Sequence, residues 1–135
     1  MVNIQVLKLL QLLVQNKVFK IAILGKDNFG VYIDALSNKK CMEMPIQIER
    51  INNLSEIDDE YRIIFISKDK KDSLPKIIKE LKYRPILLIS DIDNFINFGG
   101  TLWLKTEDKR LKIIINLLNA KKADIKFSSK LLEVA

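Results

Sequence analysis

The sequence predicts an α/β fold: a three-layer sandwich with a mainly parallel sheet of about four strands, a C-terminal antiparallel hairpin at one edge, and helices on both faces. Two segments, 62–66 and 86–89, predict central strands. The first is apolar after Arg62 and the second is apolar throughout, and such continuous runs are typical of parallel strands covered on both sides. Strand and helix patterns alternate four times before the hairpin, which favours a parallel sheet. No composition break or repeat divides the chain, so one domain over residues 1–135 is expected.

The N-terminal half begins with a leucine-rich stretch that is expected to be the first helix of the domain. Polar residues recur in it on one helical side, which is unlike the uninterrupted apolar segment of a secretory signal. The elements expected in this half are a helix over about 4–15, a strand over 19–24 that ends at Gly25, a helix over 28–36 that Asp27 caps, an irregular stretch over 41–45, a strand over 46–51 and a short turn or helix over 54–57.

The C-terminal half predicts a charged loop over 67–72 and then a helix that Ser73 caps, with Pro75 in its first turn. After the strand over 86–89, a short helical or looped turn over 92–98 leads to the pair Gly99-Gly100, where glycine allows backbone angles or close approaches that other residues do not. The remaining elements expected are hairpin strands over 101–105 and 110–115, a helix over 117–123 capped by Asn116, and a last helix over 130–134 capped by Ser128 and Ser129.

Composition excludes several classes of function. The 135 residues contain no histidine, which removes histidine-based catalysis and histidine-ligated metal, and neither a metal nor a cofactor is expected. Cys41 is the only cysteine, so no intrachain disulfide can form. The formal charge is +6, but acidic neighbours interrupt most of the basic groups and no arginine-rich aromatic stripe accompanies them, so no nucleic-acid partner is expected.

An ordered set of short motifs in this chain resembles the YfiR-like (HmsC-like) family of periplasmic regulators. The resemblance covers roughly residues 18–135. It is carried by the strands 21–25 and 63–67, by the strand that ends at Ile89-Ser90-Asp91, by the step from Phe95 to Gly99-Gly100, by the hairpin, and by the segments 115–117, 120–121 and 128–132. Family members often carry a cysteine just before the third strand, where this chain has Tyr61-Arg62.

The resemblance implies a non-enzymatic regulatory or sensory domain in the periplasm. Its implied partner is the extracytoplasmic domain of a membrane-bound diguanylate cyclase, which the domain holds inactive, and a homodimer is implied as well. The interface is expected on the hairpin, at Trp103 and Leu102, or on the first helix, at Leu7 and Leu10. An exposed tryptophan is a usual interface anchor, and the alternative is that Trp103 packs inside the domain.

A second hypothesis is a small-ligand-binding sensor domain, which the family resemblance extends to the input domain of a histidine kinase. Its cleft would lie outside the carboxyl ends of the parallel strands, where α/β sheets usually bind ligands. The residues expected there are Gly25, Asp27, Phe29, Gly30, Ser67, Ser90 and Asp91. The spacing around Gly25 matches no phosphate-binding motif, and a glycine-relieved turn explains it. Asp27, Asp91 and Asp93 could approach each other as a magnesium site, whereas helix capping by Asp27 and Asp91 is the simpler interpretation.

Overall fold

The computed structural model of the chain describes residues 19–26, 40–41, 44–81 and 84–126. Within them lies a seven-stranded sheet of order β2-β3-β1-β4-β5-β6-β7. The central strands β3, β1, β4, β5 and β6 run parallel, and the short β2 and the final β7 are antiparallel to their neighbours. The strands are β1 (Phe19–Leu24), β2 (Lys40–Cys41), β3 (Met44–Ile51), β4 (Tyr61–Ile66), β5 (Leu87–Ser90), β6 (Leu102–Glu107) and β7 (Arg110–Ile115).

The described residues also contain two α-helices and three 3-10 helices. Helix α1 (Leu74–Leu81) joins β4 to β5, and α2 (Leu117–Lys122) follows β7. The 3-10 helices cover Leu54–Glu56, Lys68–Ser73 and Phe95–Phe98. The predicted α/β class, with its mainly parallel sheet and C-terminal antiparallel hairpin, is confirmed. The helices predicted over 4–15, 28–36 and 130–134 lie outside the described residues.

The main core lies between one face of the sheet, called here the α1 face, and helix α1. The helix buries side chains at positions i, i+3, i+4 and i+7, the spacing that the sequence predicted. The buried side chains of α1 are Leu74, Ile77, Ile78 and Leu81. They pack against strand residues such as Ala22, Ile64 and Leu88, each within 2% of complete burial. The run 63–66 of β4 is apolar on both faces; Ile64 and Ile66 are buried in this core, and Ile63 and Phe65 on the opposite face are partly buried.

Two local predictions are corrected by the structure. Residues 44–45 belong to β3 rather than to an irregular stretch; Pro45 pairs with Lys40 of the two-residue strand β2 and lies before the first residue that pairs with β1, where a missing N–H breaks no central ladder. Residues 68–73 form a 3-10 helix that leads straight into α1, so Ser73 does not cap a helix that starts from extended chain. A charged run carries no apolar periodicity, and the sequence therefore gave no helical signal there.

The start of the hairpin is fixed by a close approach of backbone to an aromatic ring. Phe95 is completely buried, and a Cβ on Gly100 would lie only 2.2 Å from its ring. Asn116 caps α2 as predicted, through a 2.9 Å bond from the N–H of Asn119 to its side chain. The side-chain amide of Asn119 donates a second hydrogen bond, to the carbonyl of Gly100 at 2.9 Å. The turn, the hairpin and α2 are thus joined at one point.

At the amino edge of the sheet, a mostly buried lysine organises a polar cluster. The side chain of Lys20 is 13% exposed, and its ammonium lies 3.4 Å from Asp58, 3.6 Å from Glu60 and 4.5 Å from the centroid of the Tyr61 ring. The Tyr61 hydroxyl donates to Glu49. Burial, followed by this bond, raises the pKa of Tyr61 well above its usual range. The cluster fastens β1, β3 and β4 together at the end away from the predicted cleft.

Candidate functional site

The carboxyl edge of the sheet contains a topological switch point between β1 and β4. The chain leaves β1 for β3 on one side, then crosses to β4 on the other side of β1. In open α/β sheets, such a reversal leaves a crevice outside the strand ends, and ligands usually bind there. Gly25, at the end of β1, and Ser67, at the end of β4, flank this position, so the structure brings these two predicted cleft residues together.

The protein fills this crevice with its own side chain. The carboxylate of Asp69, in the 3-10 helix after β4, accepts a hydrogen bond from the backbone N–H of Lys26 at 2.9 Å. Gly25 has φ +100°, and a Cβ there would lie 2.7 Å from Oδ1 of Asp69. The N–H of Ser67 donates to the carbonyl of Leu24 at 3.0 Å and draws the two strand ends together. Gly25 is therefore a turn residue with a neighbour packed on its Cα.

Ser90 and Asp91, which end β5, differ in their availability to a ligand. Ser90 is buried; its hydroxyl donates to the carbonyl of Ile66 and accepts from the N–H of Ile92 at 3.1 Å. The hydroxyl therefore uses both its donor and its acceptor in hydrogen bonds within the fold. The side chain of Asp91 is 16% exposed and lies 3.8 Å from the ammonium of Lys68. Burial raises the pKa of the Asp91 carboxyl, against the opposing effect of Lys68.

The capping role expected for Asp91 is not the one that the structure shows. Asn94, in the left-handed conformation at φ 63°, precedes the 3-10 helix Phe95–Phe98. The N–H nearest to the strand end is bound by Ser90 instead. Asp93 is exposed beside this turn. Among the residues that the structure describes, no three acidic or cysteine side chains are grouped closely enough to hold a metal ion.

An open groove of about 510 Å³ lies beside the crevice, between α1 and the loop that follows β3. Leu24 and Ile77 are its buried apolar floor, and polar side chains form its walls. Lys70 crosses one end, with its ammonium 3.5 Å from the carbonyl of Asn52. The lining residues are Leu24, Asn52, Asn53, Leu54, Ser55, Lys70, Ser73, Lys76, Ile77 and Glu80. The volume is that of a small-molecule site, and lysine ammonium groups favour an anionic group on the occupant.

Sequence reasoning placed the cleft near this groove but chose none of the residues that line it. Asp69 and Lys70 belong to the run 68–72, in which aspartates and lysines follow each other without a motif. Their position over the ends of β1 and β3 arises from the crossover between β4 and α1. No signal in the sequence distinguishes Asp69 from Asp72, because only the tertiary fold brings one of them to Gly25.

The hairpin residues predicted for an interface differ in exposure. Leu102 is 7% exposed and belongs to the core. Trp103 is partly buried and packs against the main core, while the ammonium of Lys105 lies 5.4 Å from the centroid of its ring. Its Nε1 is buried and has no hydrogen-bond partner among the described residues. Trp103 is therefore partly a core residue and partly a surface residue, since one part of the ring packs inside and another part reaches the surface.

Five of the predicted site residues lie outside the described residues: Asp27, Phe29, Gly30, Leu7 and Leu10. In the part of the chain that the structure describes, none of the helices has the length and apolar character needed to cross a bilayer.

Comparison with known proteins gives one family. A family model described as YfiR/HmsC-like matches residues 9–135, which is nearly the whole chain. The match includes all of the sheet and both described helices. A search of curated proteins found no match.

Proposed function

The chain belongs to the YfiR/HmsC-like family, and we propose that it is a non-enzymatic periplasmic domain that binds and restrains a membrane-bound signalling enzyme of the diguanylate cyclase type. The family is known for regulators of diguanylate cyclase pathways; it is periplasmic and of a regulatory, non-catalytic kind. The observation that carries the proposal is the family match over residues 9–135.

The carboxyl edge of the sheet supports a role other than catalysis. At the switch point, where an α/β enzyme would hold its substrate, Asp69 bonds to Lys26 and the Ser90 hydroxyl is engaged on both sides. Neither group is placed as a nucleophile beside a base. The surface that offers contact is instead the hairpin, with the outer part of Trp103 and the exposed Leu111.

The mechanism proposed is a population shift. The domain binds the inactive state of the enzyme more tightly than the active state, so its binding raises the inactive fraction and its release lowers it. Each tenfold difference in affinity between the two states contributes about 1.4 kcal/mol to the shift. We propose a homodimer as the form that binds, and the hairpin as a surface that contacts the enzyme.

A pull-down from native, detergent-solubilised envelope with the tagged domain, analysed by mass spectrometry, tests the proposal. The expected result is enrichment of a membrane cyclase over a tag-only control, followed by a fall in cyclase activity when the purified domain is added to membranes. Capture of a cyclase whose activity does not respond would contradict the restraining role. Absence of any membrane signalling protein in the eluate would contradict the proposed partner.

A second candidate function is a small-ligand sensor, which includes the input domain of a histidine kinase. The open groove favours it, because Lys70 and Lys76 face a cavity of ligand size next to the switch point. A thermal-shift screen with small carboxylate-bearing metabolites tests it, with Lys76→Ala as the comparison. A stabilising compound that has no effect on Lys76→Ala supports a site in the groove, and equal shifts in both proteins argue against it.

A further inference from the structure

Within the described part of the chain, no strand pairs with the outer edge of β7. β7 is the last strand in the sheet and pairs only with β6 among the described residues. The N–H of Asn116 donates to the carbonyl of Thr101 at 2.9 Å, which makes their positions a hydrogen-bonded pair. Hydrogen-bonded and non-hydrogen-bonded pairs alternate along an antiparallel ladder. The backbone groups of Leu111, Ile113 and Ile115 therefore point away from β6.

This edge lacks most of the devices by which proteins block edge strands. The six residues of β7 contain no proline, and their register with β6 is continuous from Glu107↔Arg110 to Leu102↔Ile115. Lys112 and Arg110 protect the first half of the strand by charge, and Ile113–Ile115 carry no charge at all. Leu111 is 62% exposed, and Leu117 and Leu118, just beyond the strand, are 57% and 61% exposed.

The two faces of the hairpin beside this edge have opposite character. Side chains alternate across a strand, and the cross-strand register assigns each residue of β7 to a face. Leu111, Ile113 and Ile115 share one face with Leu102, Leu104 and Thr106 of β6, and that face is mainly apolar and carries no charge. The α1 face holds Arg110, Lys112 and Ile114 of β7 next to Trp103, Lys105 and Glu107 of β6. On that face, three cations accompany the single carboxylate of Glu107, which lies 4.0 Å from Lys105 and 3.9 Å from Lys112.

We propose that β7 binds an extended segment of a partner protein by strand addition, and that this segment alternates acidic with apolar residues. Acidic side chains at every second position would lie beside Arg110 and Lys112, and the apolar ones between them would extend the face of Leu111, Ile113 and Ile115. Backbone bonds to the outward groups of β7 supply affinity, and the alternation supplies specificity. The inference rests on the proposed function in one respect, namely that the partner is a protein.

A second copy of this chain fits the edge less well. Antiparallel pairing of two β7 strands about a two-fold axis perpendicular to the sheet leaves both basic faces on the same side. The lysine and arginine side chains of the two copies would then be neighbours, and like charges at cross-strand distances are destabilising. An acidic strand in the same place would attract these lysine and arginine side chains, so charge complementarity favours an acidic partner segment over a second copy of the chain.

The test uses the whole chain and a blocked, fluorescently labelled seven-residue peptide in which glutamate alternates with valine. Two control peptides accompany it: one of the same composition with the glutamates grouped in a block, and one in which lysine replaces glutamate. Anisotropy is expected to show binding of the alternating acidic peptide that weakens as salt is added, and at least tenfold weaker binding of both controls. Equal binding of the block peptide would overturn strand addition, and equal binding of the lysine peptide would overturn the charge argument.

Protein variants locate the binding at β7. Ile113→Pro removes an outward N–H without removing a β6–β7 ladder bond, and about a tenfold loss of affinity is expected from one missing hydrogen bond. Lys112→Glu is expected to weaken peptide binding by a similar factor at low salt. Lys79→Glu, on the exposed surface of α1, is the charge-matched control. Circular dichroism checks that each variant is folded. Unchanged affinity in Lys112→Glu, or an equal loss in Lys79→Glu, would place the peptide elsewhere.

The same variants separate this inference from the proposed function. Equal capture of a cyclase in the envelope pull-down by the native chain, by Ile113→Pro and by Lys112→Glu would support the proposed regulatory function and contradict the site at β7. If the peptide binds at β7 but no cyclase is captured, the site stands and the proposed partner is wrong. Concentration-dependent dimerisation that Ile113→Pro abolishes, with no peptide binding, would assign the edge to a second copy and overturn the proposal.

Discussion

The carboxylate of Asp69 accepts a hydrogen bond from the backbone N–H of Lys26 across 2.9 Å, although 43 positions separate the two residues in the chain. The bond links the loop after β4 to the turn after β1, at the crevice where the sheet reverses its order. It gives the N–H of Lys26 an internal anionic partner, at a place where related architectures present backbone N–H groups to ligands.

Asp69→Ala is expected to lower the free energy of unfolding by at most about 1 kcal/mol, because the N–H of Lys26 loses its acceptor at an exposed site, where water competes for the bond. Asp69→Asn keeps an acceptor oxygen of similar reach and should retain most of the stability. Urea denaturation of the three proteins measures both effects. Equal midpoints for Asp69→Ala and the native chain would show that water replaces the carboxylate without cost.

Gly25→Ala is expected to destabilise the fold by a term on the order of 1–3 kcal/mol. One cause is the φ of +100°, and the other is the 2.7 Å contact between the new Cβ and Oδ1 of Asp69. A double-mutant cycle with Asp69→Ala separates them, since the contact disappears in that background and the backbone strain remains. Strict additivity of the two substitutions would show that the carboxylate moves aside freely.

Ser90→Ala is expected to cost about 1–3 kcal/mol, because the buried hydroxyl bonds to both the carbonyl of Ile66 and the N–H of Ile92. Ser90→Thr keeps the hydroxyl and serves as the comparison for hydrogen bonding, although it adds a methyl group at a buried site. Chemical denaturation is the measurement. If Ser90→Ala is as stable as the native chain, the hydroxyl does not hold the end of β5.

Trp103→Ala is expected to lower the free energy of unfolding by roughly 2 kcal/mol, about half of what a fully buried ring would cost, since the ring is only partly buried against the core. Association with a partner should fall as well. Trp103→Phe retains an aromatic ring and removes the buried Nε1 that has no partner among the described residues, so its stability should stay close to the native value. A fall for Trp103→Phe as large as that for Trp103→Ala would reveal a hydrogen bond to Nε1.

Glu56 gives the protein a pH-dependent contribution to stability. Its carboxylate accepts the N–H groups of Asn52 at 2.8 Å and Asn53 at 3.0 Å, and these bonds hold the pKa of Glu56 below its usual range. In the unfolded chain this pKa returns to its usual value. The stabilisation is therefore complete above that value and is lost as pH falls through the lowered pKa of the folded state.

The variant Glu56→Gln tests this contribution through melting temperatures between pH 7 and pH 3. The native chain is expected to melt higher than the variant at pH 7, and the difference should shrink as the solution becomes acidic. Glu80→Gln, which removes the same charge from an exposed side chain on α1, controls for a general change in charge. A difference that stays constant over the whole range would contradict the role of the ionised carboxylate.

Local sequence patterns were enough to predict six of the seven described strands, α1 with its buried side chains, the cap at Asn116 and the family. These features are local: an apolar run such as 86–89, or the spacing of Leu74, Ile77, Ile78 and Leu81, expresses burial directly in the order of residues. The residues predicted for a ligand cleft were chosen from strand ends for the same reason, because strand ends are visible in a sequence and the contents of a crevice are not.

Which side chains are in contact depends on the tertiary structure. The crossover from β4 to α1 brings Asp69 to Gly25, and the pairing of β6 with β5 leaves β7 at the edge with its outward backbone groups at Leu111, Ile113 and Ile115. Both relationships join residues far apart in the chain or depend on which strand has no neighbour. Local propensity carries no information about either, since the free energy of such contacts exists only once the sheet has formed.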